Sequence, residues 1–300
     1  MEADLDLARD ELTESEVLML EQLEGVVLAV RDAEAATKTF EDIFGAKFVD
    51  SSDSDVWNAR IAILACGTDL IRLAEPRGPG AVQEYLDRWD EGLFAAVFAS
   101  KDPEEIAQRL DSRSISNVTE QGLTYVDPSR TFGLRTLVSE FKERERVGVI
   151  SFLYEVTHLV NDWKAASEFW TDAFGLEGMR FSPIKSDHYG YEGVLTLFNP
   201  PRLLDRIEVV YPHDTEKAMG KFFVKRGEGP YMFYTECHDT PELARRLEAA
   251  GARYAGNPSK DPKTSIFIHP SATHGVLIGV SPKDQAWVWS GRPELAKQQA

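Results

Sequence analysis

The sequence predicts an α+β fold: four βαβββ modules paired into two tandem, cup-shaped domains with mixed, largely antiparallel sheets. Three observations carry this. Residues 23–48, LEGVVLAVRDAEAATKTFEDIFGAKF, recur at 153–178 as LYEVTHLVNDWKAASEFWTDAFGLEG, with an ungapped offset of 130 (153 − 23). Identical pairs include Asp32/Asp162, Ala35/Ala165, Ala36/Ala166, Phe44/Phe174 and Gly45/Gly175. DEGLFAAVFASKDPEEIAQRL (90–110) recurs as GEGPYMFYTECHDTPELARRL (227–247), with an offset of 137 (227 − 90). Each repeat also divides in two, because EVTHLVND (155–162) lies over MFYTECHD (232–239) and IEVVYP (207–212) resembles IGVSP (278–282). Self-similarity at a fixed period marks repeated structural units.

In chain order, residues 1–22 carry no basic n-region and no long apolar core, so they read as an acidic amphipathic helix and not as a signal peptide. The first domain is expected over 23–141 and the second over 150–282, joined through the polar FKERER run at 141–146. Helices are expected near 33–44, 103–111, 163–174 and 240–250. Each follows an aspartate that can cap it, and the first and third end at Phe-Gly, a C-cap signal. GAVQEYLDRWD and TEKAMGKFFVKR read as short connecting helices. The tail, 283–300, is expected to supply an edge strand or an interface.

Composition narrows the partners. The chain has 300 residues, 43% hydrophobic and 28% charged, as in ordinary soluble globular domains. Its net charge of −17 argues against nucleic acid or an anionic membrane as partner. Cys66 and Cys237 do not suggest a disulfide framework, which points to a reducing cytoplasm. No run reaches transmembrane length. A small-molecule ligand and a monomer or homodimer are the expectation.

LYEVTHLVNDWKAASEFWTDAFGL, EGPYMFYTECHDTPELARRLEAAGARY and FIHPSATHGVLIGV together resemble the vicinal oxygen chelate superfamily of glyoxalases, bleomycin-resistance proteins and extradiol dioxygenases. In motif they are most similar to methylmalonyl-CoA epimerase-like modules. The resemblance spans residues 23–281 and implies that each domain closes into a cup where a divalent metal meets vicinal substrate oxygens. Carried over by position, the four ligand sites fall on Glu155, Glu208, Met232 and Gly279 in the second domain. In the first they fall on Gly25, Arg72, Ala95 and Leu137, a set without metal donors that implies a degenerate, buttressing partner.

Two carboxylates without a histidine satisfy neither a zinc site nor a non-haem iron site. No resident cofactor is therefore expected; a divalent ion on Glu155 and Glu208 would be held weakly. Strand alternation puts Glu155, Thr157 and Leu159 on the cup side and turns His158 toward the helices as a core residue, unless a β-bulge re-aims it. Glu155, Glu208 and Tyr234 are the catalytic candidates. Thr157, His188, Met232, Glu236 and His269 are the candidates for substrate contact. Two acids converging in an apolar cup cannot both ionise easily, which leaves an acid beside a base near neutral pH. The expectation is a metal-independent isomerase, epimerase or lyase acting on a carbonyl compound. The alternatives are a non-catalytic small-molecule binding or resistance protein and an extradiol-type dioxygenase.

Overall fold

A computed structural model describes residues 19–200 and 203–293. The first half runs β1 (Gln22–Ala29), α1 (Ala33–Phe44), β2 (Lys47–Ser54), β3 (Ala59–Cys66), β4 (Asp69–Pro76), α2 (Ala81–Trp89), β5 (Gly92–Ser100), α3 (Pro103–Ser112), β6 (Asn117–Glu120), β7 (Leu123–Val126) and β8 (Arg135–Glu140). The second half runs β9 (Ile150–Leu159), α4 (Trp163–Phe174), β10 (Ser182–Ser186), β11 (Tyr191–Leu195), β12 (Arg206–Pro212), α5 (Ala218–Arg226), β13 (Gly229–Cys237), α6 (Thr240–Ala249), β14 (Tyr254–Ala255), β15 (Ile266–Ile268), β16 (Leu277–Pro282) and α7 (Gln285–Trp289). The acidic helix expected over 1–22 falls almost wholly outside the described residues.

The helices begin and end where local chemistry directs. Asp32, Asp102, Asp162 and Asp239 each accept hydrogen bonds from first-turn N–H groups, satisfying donors that a helix start leaves open. Gly45 and Gly175 close α1 and α4 in the left-handed region, with φ of 66° and 68°.

The strands form two eight-stranded sheets of matching order, β2-β3-β4-β1-β5-β8-β7-β6 and β10-β11-β12-β9-β13-β16-β15-β14. Within each, the central strand pairs parallel with the last strand of its own module and antiparallel with the first strand of the next. One face of each sheet packs on helices, and these helices meet between the two sheets. One continuous core results, in which Leu23, Val26 and Phe98 of the first domain join Ile150, Trp170 and Phe174 of the second. The two cups open on opposite outer faces, each with its own apolar lining.

Two details of this junction bear on the cups. Asp69 of the first domain accepts the buried Leu153 N–H of the second at 2.6 Å, and Asp205 of the second accepts the Leu23 N–H of the first at 2.7 Å. Immediately after each of these N–H groups the central strand bulges. Register shifts leave Glu24 in β1 and Tyr154 in β9 without a partner residue opposite. Burial raises Asp205 to about 7 and lifts Asp69 well above the usual carboxylate range, with the neighbouring Asp205 charge as a further cause.

The tail corrects one expectation. Its described residues, 283–293, form no edge strand; α7 lays Trp287 against Tyr154, Leu195 and Leu204 on the cup side of the second sheet. Burying that indole removes a large apolar surface from water.

Candidate functional site

Strand alternation brings Glu155, Thr157, Glu208, Met232 and Tyr234 to the inside of the second cup. Val156 and Ile207, one residue away on β9 and β12, point into the shared core. The bulge on β9 adds Tyr154 to the same face, so Tyr154 and Glu155 both project into the cup. Glu208 sits two residues along β12 from Arg206, which pairs directly with Glu155 across the strands.

Charge inside this cup is organised by Arg206, which is fully buried. Its Nε donates to Glu155 Oε2 at 2.6 Å, its Nη1 donates to Ser290 Oγ at 2.8 Å, and its guanidinium lies 4.9 Å from the centre of the Tyr154 ring. Glu208 Oε2 accepts from the Thr157 hydroxyl at 2.7 Å, and Tyr191 lies alongside it. Burial, then the Glu155 charge, pushes Glu208 up to about 8. Burial also raises Glu155, but the Arg206 ion pair and hydrogen bond oppose that rise. The arrangement sets Glu208, raised to about 8, beside Glu155, whose own rise the Arg206 ion pair opposes.

Tyr234 is the cross-strand partner of Glu155, with its ring 6.0 Å from that of Tyr154. It fills the space of the fourth ligand position: a Cβ on Gly279 would sit 2.2 Å from the Tyr234 ring. Burial and the two glutamates raise its phenol well above the ordinary value, so it is a hydrogen-bond donor and not a phenolate. Glu236 lies at the edge, accepting the Asp284 N–H at 3.0 Å, and burial raises it to about 7.

The two candidate histidines are not part of this group. His188 is exposed at the tip of the β10–β11 hairpin, its ring against Tyr189. The hairpin's last pair, Ser186–Tyr191, lies four residues along β11 from Leu195, the partner of Glu208, or about 13 Å. His269 is exposed and caps a single 3-10 turn, its Nδ1 accepting the Ser271 N–H at 3.1 Å. His158 is buried against Trp170, as alternation predicts, yet its partner comes from the other domain, the Phe132 carbonyl at 2.9 Å. Burial holds it at about 4, so it is neutral.

Sequence reasoning missed Arg206, Tyr154 and Tyr191. Arg206 had a readable signal, since a charged residue two positions before Glu208 in a strand shares its face.

The first cup is built differently at the equivalent place. Its bulged residue is Glu24, whose carboxylate meets Arg72 Nη1 at 2.7 Å and Arg144 Nη2 at 2.6 Å. A cavity of about 320 Å³ opens above this cluster.

A family model for the Glyoxalase/Bleomycin resistance protein/Dioxygenase superfamily matches twice, over residues 22–148 and 154–280. The chain belongs to this superfamily. Among solved structures, a 4-hydroxymandelate synthase mutant from Streptomyces coelicolor is similar at a TM-score of 0.68 and 12% identity, over 94% of this chain and 99% of the other. A xylose isomerase-like TIM barrel/4-hydroxyphenylpyruvate dioxygenase fusion protein gives 0.62 and 12%, over 88% of this chain and 49% of the other. Methylmalonyl-CoA epimerase from Mycobacterium tuberculosis gives 0.37 and 26%, over 45% of this chain and 89% of the other. No curated protein matches. At these identities the first two likenesses speak to fold alone.

Superfamily enzymes that use a metal hold it in the cup, so the donor set of this cup can be tested. Met232 and Gly279 supply no hard donor, and Tyr234 covers the Gly279 position with its ring. The Arg206 guanidinium already lies against the Glu155 carboxylate, where an ion's charge would be needed. These residues do not fit a tightly held divalent ion. No helix among the described residues is long and apolar enough to cross a membrane.

Proposed function

We propose that the chain is an isomerase, epimerase or lyase that moves a proton next to a substrate carbonyl in the second cup, with protein side chains alone. The observation that carries this reading is the split between two neighbouring carboxyls, Glu208 pushed up to about 8 and Glu155 held against Arg206. Such a split assigns an acid and a base at one pH.

In this reading Glu208 donates a hydrogen bond to the substrate carbonyl oxygen and Tyr234 assists from across the sheet. Glu155 accepts the proton from the adjacent carbon, and the C–H electron pair moves into the enol(ate). Protonation of the enol(ate) on its opposite face from solvent, with Glu155 giving its proton up to solvent, yields the epimer. Return of the proton to another carbon gives an isomer, and departure of a β-substituent with the electron pair gives elimination. Arg206 favours the ionised form of Glu155, and Ser290 also holds its guanidinium. Thr157 and Met232 shape the adjoining wall, and Glu236 lies two residues beyond Tyr234 on β13.

Solvent isotope exchange tests this across whole classes of carbonyl compound at once. The protein is incubated in D₂O with α-branched thioesters, 2-oxo acids and hydroxy ketones, and α-deuteration is followed by NMR. Wild type should exchange at least one class, and Glu155→Gln and Glu208→Gln should lose at least about a hundredfold while melting normally. Full exchange in both variants, or a tightly bound compound that never exchanges, would reject the enzyme reading; the second result favours a binding protein.

A further inference from the structure

We infer that the first cup is a second, separate ligand site, one that binds a small aromatic carboxylate on a guanidinium pair. The floor of its cavity holds one carboxylate and two guanidiniums. Arg72 approaches Glu24 end-on through Nη1 and Nη2, and Arg144 donates to Oε1 from the linker. One negative charge against two positive ones leaves a surplus cation in a space lined by Trp57, Tyr125, Ile61 and Leu137.

Toward the mouth the lining is acidic, since Asp53 and Asp55 share Arg77 at 3.0 and 2.6 Å while Glu140 is paired with Lys142 at 3.0 Å, so the surplus cation is confined to the floor. Asp50 is exposed to solvent and accepts the Ser51 N–H. The chain's overall −17 acts over distances that salt screens within about 8 Å, so the local cation decides what enters.

Arg72 is 94% buried (6% exposed), and its Nε donates to nothing among the described residues. The backbone is arranged around this side chain. Gly25, next to the bulge, has no Cβ; one placed there would lie 3.4 Å from Arg72 Nη1 and 2.0 Å from the Leu70 carbonyl oxygen.

The walls select the rest of the ligand. Trp57 packs edge-on to Tyr125 with ring centres 4.8 Å apart, a rigid aromatic surface that suits a flat ring. A cavity of about 320 Å³ suits a compound of about 10–20 non-hydrogen atoms.

Benzoate is the probe, with benzamide as its neutral isostere and inorganic phosphate as an anion lacking a ring. In full-length protein labelled with 5-fluorotryptophan, benzoate should shift saturably the ¹⁹F resonance assigned to Trp57 by its loss in Trp57→Phe. Benzamide and phosphate should each bind at least about tenfold more weakly. Arg144→Gln, on the linker, should weaken benzoate about tenfold; Glu24→Gln, which releases both guanidiniums, should tighten it. Thermal melting confirms that each variant is folded, and the Arg144 arm stands alone if Glu24→Gln is not. Equal binding of benzoate and benzamide, phosphate matching benzoate, a response at another tryptophan, or no saturable response would each overturn the inference. The readout is confined to the first cup, so it succeeds or fails independently of proton exchange in the second.

Discussion

Replacing Arg206 by methionine isolates the charge logic of the second cup. Methionine keeps an unbranched chain of similar reach but leaves Glu155, 2% exposed, without its ion pair. Removing one partner of a buried pair costs about 3–5 kcal/mol, because the remaining charge is neither hydrated nor paired. Glu155 can escape that cost by taking a proton. Its folded pKa, already raised by burial, then rises further above the unfolded value of about 4.3, so the folded state binds more protons and stability falls as pH increases. At pH 5.5 neutralisation costs about 2 kcal/mol, the difference of about 1.2 from 4.3 at about 1.4 kcal/mol per pH unit. At pH 8 the same product reaches about 5 kcal/mol, so the loss there is the full 3–5 kcal/mol. Urea unfolding of Arg206→Met at the two pH values should show this difference, and Glu155→Gln/Arg206→Met should recover to within about 1 kcal/mol of wild type. A loss below about 1 kcal/mol at pH 8, or one that does not change with pH, would refute the pairing argument.

The wild type should itself be more stable near pH 6 than at pH 8.5. Glu208 at about 8 and Asp205 and Glu236 at about 7 have folded values above their unfolded ones, so the stability they contribute is complete below about 4 and is lost as pH rises through 7–8. His158, held at about 4, acts oppositely, since its contribution is complete above about 6.5 and is lost as pH falls through 4; a bell-shaped melting profile checks both signs. Trp287→Ala should cost about 3–5 kcal/mol and expose the second cup to a hydrophobic dye. Gly279→Ala should displace the Tyr234 ring and reduce exchange without changing the first cup, as read by the Trp57 resonance.

What the sequence disclosed follows the range of the forces involved. Capping aspartates and Phe-Gly ends are local, so α1, α3, α4 and α6 were legible to within a residue or so. Alternation is also local, and it turned Glu155 and Glu208 inward and His158 outward. Non-local choices stayed hidden. Arg206 meets Glu155 only through the parallel register of β12 on β9, 51 residues apart. Glu24 enters its cup only because β1 bulges there; strict alternation would have put Glu24 and Gly25 on opposite faces. The tail's placement is non-local as well, since α7 docks on Tyr154, Leu195 and Leu204 from distant strands and loops.

The reciprocal Asp69 and Asp205 contacts connect these observations across the duplication. Each carboxylate fixes a backbone N–H in the other domain one residue before a bulge, and that bulge aims the cup's principal charged or aromatic residue. Asp69→Ala leaves the Leu153 N–H buried and unpaired, at a cost of about 1–3 kcal/mol that is relieved most directly by relaxing the bulge at Tyr154. It should therefore lower exchange in the second cup and spare benzoate binding in the first. Asp205→Ala, acting on Leu23 beside Glu24, should do the reverse. Asparagine at either position retains an accepting oxygen and discards a carboxyl whose ionised form burial already opposes, so both Asn variants should behave as wild type. If the two alanine variants impaired both cups equally, the carboxylates would be acting on the shared core as a whole. If the asparagine variants matched the alanine ones, the accepted N–H would not be the interaction that matters.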